Sequence, residues 1–257
     1  MPARKKHLLI LGGTAEAAAL VAATGDRFGA RLTVTTSLAG RTLTPRAGLG
    51  QLRIGGFGGA AGLAGWLQTE KVDMVVDATH PFAGTISANA RQACDTTGIS
   101  RLILTRPSWD AGPDDRWREV ADFAAAASAL SGIGSRVFLS VGSQKLQAFS
   151  QLRGVHLVVR MIDAPQEPLP LVSYSVILGR GPFTEDAELG LLRREKIDAV
   201  LSRNSGGVST YAKIVAARRL ALPVVMIAPP PIETGPCTID QEGALQWISE
   251  KLAVATT

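Results

Sequence analysis

The sequence predicts an α/β fold of two lobes, each built on a mainly parallel sheet, with a cleft between the lobes. Three observations predict it. Short apolar runs alternate with longer helical patterns almost from end to end, the β-α-β rhythm of a parallel sheet. The rhythm breaks over residues 106–116 and then restarts. A glycine turn follows the first strand of each half, Gly12-Gly13-Thr14 in one and Gly142-Ser143 in the other.

In the first half, residues 7–11, 32–36, 72–77 and 101–105 read as buried strands. They are rich in Val, Ile and Leu and run into Gly, Ser, Thr or Pro. Residues 16–23, 59–69 and 85–97 read as the helices between them. Two prolines, a glycine and three aspartates over 106–116 mark a loop and domain link. An Ala-rich connecting helix follows over 122–130. Strands then recur at 137–141, 157–162, 175–178, 199–202 and 224–228, with helices at 183–194 and 208–220. A closing helix spans 240–252, with Asp240 at its N-cap. The expected domains are 1–110 and 111–257.

Composition bounds the function. At 257 residues the chain has room for two modest cores, and 46% hydrophobic with 19% charged residues is ordinary for a globular protein. No apolar run reaches the roughly 18 residues of a membrane span, and the basic start leads directly into a strand, so a soluble cytoplasmic protein without a signal peptide is expected. Cys94 and Cys237 make no metal-ligand spacing with the three histidines, so no metal site is expected. The net charge of +5 is spread along the chain. With no zinc-finger spacing and no aromatic-basic strip, it points to an acidic small molecule rather than nucleic acid. A nucleophile elbow, a P-loop and a zinc-protease motif are all missing.

Several motifs sit where ligands bind in such sheets, beyond the carboxyl ends of the strands. Gly12-Gly13-Thr14 joins a strand to a helix and suits a pyrophosphate, although its spacing departs from G-x-G-x-x-G and a plain tight turn fits equally well. After the second strand, Thr36-Ser37-Leu38-Ala39-Gly40-Arg41 carries no acid. Ser37 and Arg41 there suit the 2′-phosphate of NADPH rather than the free ribose of NADH. Gly55-Gly56-Phe57-Gly58-Gly59 is a second glycine loop, suited either to close approach of a ligand at Gly56 or to a simple connection. Asp77-Ala78-Thr79-His80-Pro81-Phe82-Ala83 puts Thr79 and His80 at a strand end, where His80 can orient nicotinamide, bind a carboxylate or move a proton. His7 and His156 fall at strand starts and read as structural.

In the second half, Lys145, Arg160, Arg180 and Arg203 lie near strand ends with few acids in the surrounding sequence, and Lys213 follows on the next helix. Any one of them alone reads as a solvated charge. Their shared placement suits a ligand with several carboxylates. The Ser205-Gly206-Gly207 turn adds backbone donors for an anion.

Taken in order, these motifs resemble the precorrin-6A reductase family of corrin biosynthesis. The resemblance rests on residues 10–16, 36–41, 55–59 and 77–83, then Arg106-Pro107-Ser108-Trp109, Gly181-Pro182-Phe183, Asn204-Ser205-Gly206-Gly207 and Lys213-Ile214. It covers nearly the whole chain, and the Asp-Ala-Thr-His-Pro-Phe-Ala run is its most specific part. Many members carry Lys-Asp or Lys-Glu where this chain has Arg203-Asn204. The resemblance implies Rossmann-like lobes and transfer of hydride from NADPH to a double bond of the precorrin-6A macrocycle, giving precorrin-6B, without a metal. It implies Gly12, Gly13, Thr14, Ser37, Arg41, Gly56, Thr79 and His80 as cofactor-binding residues. For the tetrapyrrole it implies Lys145, Arg160, Arg180, Arg203, Ser205, Gly206 and Lys213, with His80, Lys213 and Arg203 nearest the chemistry. A monomer acting on a small molecule is expected, apart from membranes and nucleic acid. Two other readings stay open from the residues alone: an NADPH reductase of another polycarboxylate, and a non-catalytic dinucleotide sensor.

Overall fold

A computed structural model describes residues 4–40 and 50–253 of the chain. In chain order the elements are β1 (Lys6–Leu11), α1 (Ala15–Phe28), β2 (Leu32–Leu38), β3 (Gln51–Ile54), α2 (Gly59–Thr69), β4 (Met74–Asp77), α3 (Gly84–Thr97) and β5 (Ser100–Leu104). There follow β6 (Arg116–Val120), α4 (Phe123–Leu130), β7 (Arg136–Leu139), a 3-10 turn (Ser143–Phe149), β8 (His156–Met161), β9 (Tyr174–Leu178) and α5 (Glu185–Arg194). The chain ends with β10 (Ala199–Arg203), α6 (Ala212–Arg219), β11 (Pro223–Ile227), β12 (Cys237–Thr238) and α7 (Gln241–Ala253).

The strands form two six-stranded sheets, ordered β12-β5-β4-β1-β2-β3 and β6-β11-β10-β7-β8-β9, and every pairing is parallel. They define two compact units. One takes the described residues up to Pro107 and those from Pro230 onward, and the other is Ser108–Pro229.

In the first unit, side chains alternate between the two sheet faces, and both faces are covered. Leu8 and Ile10 of β1 pack with Leu20 and Val21 of α1 and with Ala244, Leu245 and Ile248 of α7. Leu9 and Leu11 point the other way, onto Leu63 and Leu67 of α2 and Ala90 and Ala93 of α3. Thr14 caps α1, and Gly29 ends it with φ at 49°. In the second unit, Phe138, Val158, Val200 and Met226 pack against Leu189 and Leu192 of α5 and Ile214 of α6.

The C-terminal boundary differs from the expected 111–257. The chain leaves the first sheet after β5, builds the second unit, and comes back as β12, which pairs with β5 through Cys237↔Ile103. The apolar stripe of α7 then completes the core over α1, which is why 230–253 belongs with the first unit. Sequence patterning missed β3, β6 and β12. All three are edge strands, and Arg116-Trp117-Arg118-Glu119-Val120 and Cys237-Thr238 show no buried run because an edge needs none. The helix expected over 208–220 starts only at Ala212. Among the described residues no helix is long and apolar enough to cross a membrane.

Candidate functional site

At the carboxyl edge of the first sheet, parallel register lines up one row of residues. Arg53 of β3 faces Ser37 of β2, Ser37 faces Leu11 of β1, Leu11 faces Asp77 of β4, and Asp77 faces Ile103 of β5. The turns beyond this row form the candidate site of the first unit. Gly12 N–H donates to Ser37 O at 2.9 Å and Ala78 N–H to Leu11 O at 3.0 Å, which extends the ladders one step into the turns. A side chain at Gly12 would lie 3.3 Å from both Leu38 and Thr36, whereas Gly13, with φ at 108°, borders open space. Backbone can therefore approach a ligand at Gly13 without obstruction.

Thr14 ties two turns together. Its hydroxyl accepts from Ala17 N–H at 3.1 Å and donates to Ala78 O at 2.8 Å. Beside it, Asp77 Oδ1 accepts from the Thr79 hydroxyl at 2.7 Å and from Thr79 N–H at 3.2 Å. Behind Asp77, the buried Arg101 stands 3.9 Å away and donates to Thr234 O at 2.6 Å. The second Asp77 oxygen and Arg101 Nη1 make no hydrogen bond among the described residues. His80 Nδ1 accepts from Phe82 N–H at 3.1 Å, so the neutral ring carries its proton on Nε2. A small open recess is lined by Thr14, Glu16, Thr79, Pro81 and Arg106. Arg106 pairs with Glu16 at 2.6 Å, which offsets the one acid in the first turn of α1 and leaves the helix terminus favourable to an anion.

The second unit has its own cluster at the ends of β8 and β10 and the start of α6. The Asn204 side chain clasps the Trp109 backbone, accepting from Trp109 N–H at 2.7 Å and donating to Trp109 O at 2.8 Å. The Trp109 indole donates to Gly207 O at 2.8 Å and packs on Tyr211 at 5.3 Å. The buried Lys213 ammonium donates to Thr210 O at 2.7 Å and lies 5.0 Å from the Trp109 ring. Burial, then the positive charge of Arg160, pulls the Lys213 pKa down to about 7; Glu188 opposes this and Arg203 adds to it.

Residues 7–249 match the family described as precorrin-6x reductase CbiJ/CobK. The chain belongs to the precorrin-6x reductase family. A precorrin-6A reductase of Rhodococcus erythropolis is 45% identical over 243 residues, which is 94% of this chain and 97% of the relative. One from Rhodobacter capsulatus is 43% identical over 244 residues, 95% of this chain and 96% of the relative. A solved CobK precorrin-6A reductase superposes with a TM-score of 0.90 at 42% identity, covering 96% of this chain and 97% of its own.

Within this precorrin-6x reductase, Gly12, Gly13, Thr14, Thr79 and His80 come together on adjacent turns, and Gly56 lies in the loop after β3. Ser37 is not beyond its strand but inside it, because β2 runs on to Leu38, and it is buried. Arg41 lies outside the described residues. In the second unit, Arg203, Ser205, Gly206 and Lys213 sit on the end of β10, the following turn and α6. Lys145, on the 3-10 turn, and Arg180, after β9, are exposed.

Two expectations need correction. Arg160 was expected among cations with few acids beside them; instead it pairs with the buried Glu188 at 2.6 Å and stacks 3.9 Å over Phe183. An acid far off in sequence, on α5, balances it inside the fold. Of the expected turn donors, Ser205 N–H is already bonded to Arg203 O at 2.9 Å, so this turn offers fewer anion donors than its sequence suggests. Sequence reading also passed over Arg53, Arg101, Glu188 and Asn204. Asn204 stood in a quoted motif, but its need for both a donor and an acceptor emerges only beside Trp109.

Proposed function

We propose that this chain is the NADPH-dependent reductase of precorrin-6A, reducing one double bond of the macrocycle to give precorrin-6B. The observation that carries this reading is the superposition on a solved precorrin-6A reductase over nearly the whole chain. NADPH, when bound, supplies the hydride. The chain's own residues bind, orient and hold a proton. Gly12 and Gly13 let backbone reach the pyrophosphate at the start of α1, with Thr14 keeping that turn in place. Ser37 and Arg41 serve the 2′-phosphate. Thr79 and His80, steadied by Asp77 and Phe82 N–H, border the nicotinamide.

The second unit serves the tetrapyrrole. Lys145, Arg180, Arg203 and the Ser205-Gly206 turn meet its carboxylate arms, and Arg160 supports them from its pairing with Glu188. Lys213 is the proton donor to the macrocycle. A pKa of about 7 leaves it partly charged near neutral pH and able to give up its proton readily. Arg203 cannot share that role, since guanidinium keeps its proton.

The test is an anaerobic assay of the purified protein with precorrin-6A and either NADPH or NADH. Loss of NADPH absorbance coupled to a change in the tetrapyrrole spectrum, with NADH poor, is expected. Tight NADPH binding without turnover of precorrin-6A would refute the substrate and retain the cofactor.

A further inference from the structure

Arg53 has no part in the reading above, yet it is the described cation in register with Ser37. Both residues belong to the α2 face of the sheet edge, since Ser37 is opposite Leu11, which packs on Leu63 and Leu67. The Arg53 guanidinium is fixed rather than loose. Nη1 donates to Gly55 O at 2.6 Å and Nη2 to Gly56 O at 2.8 Å. Its plane stacks on Phe57 with Cζ 3.6 Å from the ring centre, and Trp66 lies 5.8 Å away. None of the ion pairs formed among the described residues takes Arg53.

Those two bonds leave further N–H groups at the guanidinium edge, and stacking keeps them in a set plane. A held guanidinium, outside the ion pairs of the described residues and in register with Ser37, is suited to a phosphate monoester, because its fork needs little ordering when the oxygens arrive. The glycine loop thereby acquires a purpose. Its carbonyls at Gly55 and Gly56 aim the guanidinium, and Phe57 supports the plane.

We infer that Arg53, held by the Gly55-Gly56-Phe57 loop, is a specificity-determining residue for the 2′-phosphate of NADPH, acting together with Ser37. This rests on the NADPH reading above. Isothermal titration of the full chain with NADPH, NADH, adenosine 2′,5′-bisphosphate and 5′-AMP tests it without relying on turnover. The wild-type chain reports the reading: equal affinity for NADPH and NADH defeats both the reading and the inference. Where wild type prefers NADPH, the variants report Arg53. Arg53→Gln is expected to weaken NADPH and the bisphosphate by roughly 10- to 100-fold, leaving NADH and 5′-AMP unchanged. Arg53→Lys keeps the charge but not the fork, and should fall between. If Arg53→Gln does not fold, the Lys variant decides, with a selective loss of at least about threefold required. Equal weakening of all four ligands marks a purely structural arginine and overturns the inference. So does unchanged NADPH selectivity, including the case where Arg41→Ala alone abolishes it.

Discussion

The Thr14 hydroxyl donates to Ala78 O at 2.8 Å, joining the turn after β1 to the turn that carries Thr79 and His80. The same oxygen caps α1 through Ala17 N–H. Replacing Thr14 with Val removes both bonds while keeping shape. Stability is expected to fall by roughly 1–3 kcal/mol, and cofactor affinity with it. Thr14→Ser should keep most of both. Urea unfolding and NADPH titration check this, and a Val variant as stable as wild type would show the tie to be idle.

Lys213 predicts a pH signature with a definite sign. Its folded pKa of about 7 lies below the ordinary 10.5. Between those values the unfolded chain binds more protons than the native one, so stability rises with pH across that window. Below pH 7 the cost of the buried charge is fully present. Lys213→Met should therefore be more stable than wild type near pH 6, by roughly 2–5 kcal/mol, with the gap closing towards pH 10. Its reductase activity should be nearly lost. In wild type, a step that needs the lysine proton slows as pH rises through about 7. A gap independent of pH would contradict the assignment.

Glu188 is buried because Arg160 is. Glu188→Ala leaves that guanidinium in an apolar setting without its counter-charge, and a loss of roughly 3–5 kcal/mol is expected. The double change Arg160→Met with Glu188→Leu removes both charges and should recover most of the loss. A thermal or urea double-mutant cycle reads the coupling. A double variant as unstable as the single one would show that packing, not charge, sets the cost.

Asn204 uses both ends of its amide on the Trp109 backbone. Asn204→Asp keeps the acceptor and loses the donor, at a cost of roughly 1–3 kcal/mol because Trp109 O is left unpaired. Trp109 fluorescence should change along with the stability. Asn204→Ser, too short to bridge both groups, should be no better. An unchanged Asp variant would assign the clasp to the other contacts of Trp109.

Much of this was legible in the sequence, for reasons that can be named. Apolar runs such as Leu8-Leu9-Ile10-Leu11 are buried on both faces, so they signal parallel strands without any neighbour being known. The Gly12-Gly13-Thr14 turn and the Thr79-His80 turn are local chemistry at strand ends, and the parallel order of β1 and β4 sets them side by side. Edge strands such as β6 were hidden because pairing on one side alone demands no apolar pattern. The longer reach of β2 mattered too, since two more residues put Ser37 inside the sheet.

What the sequence determined by itself was the alternation of strands and helices, the two-part organisation and the polar strand ends that mark the family. These follow from periodicity and turn chemistry, which act over a few residues. Only the tertiary structure decided which distant groups meet. Glu188 neutralises Arg160 from α5, Asn204 grips Trp109 from the turn after β10, Arg53 lines up with Ser37, and α7 closes the core of the unit in which the chain began. Burial and pairing depend on groups far apart in the chain, and it is their sum that draws Lys213 down to about 7.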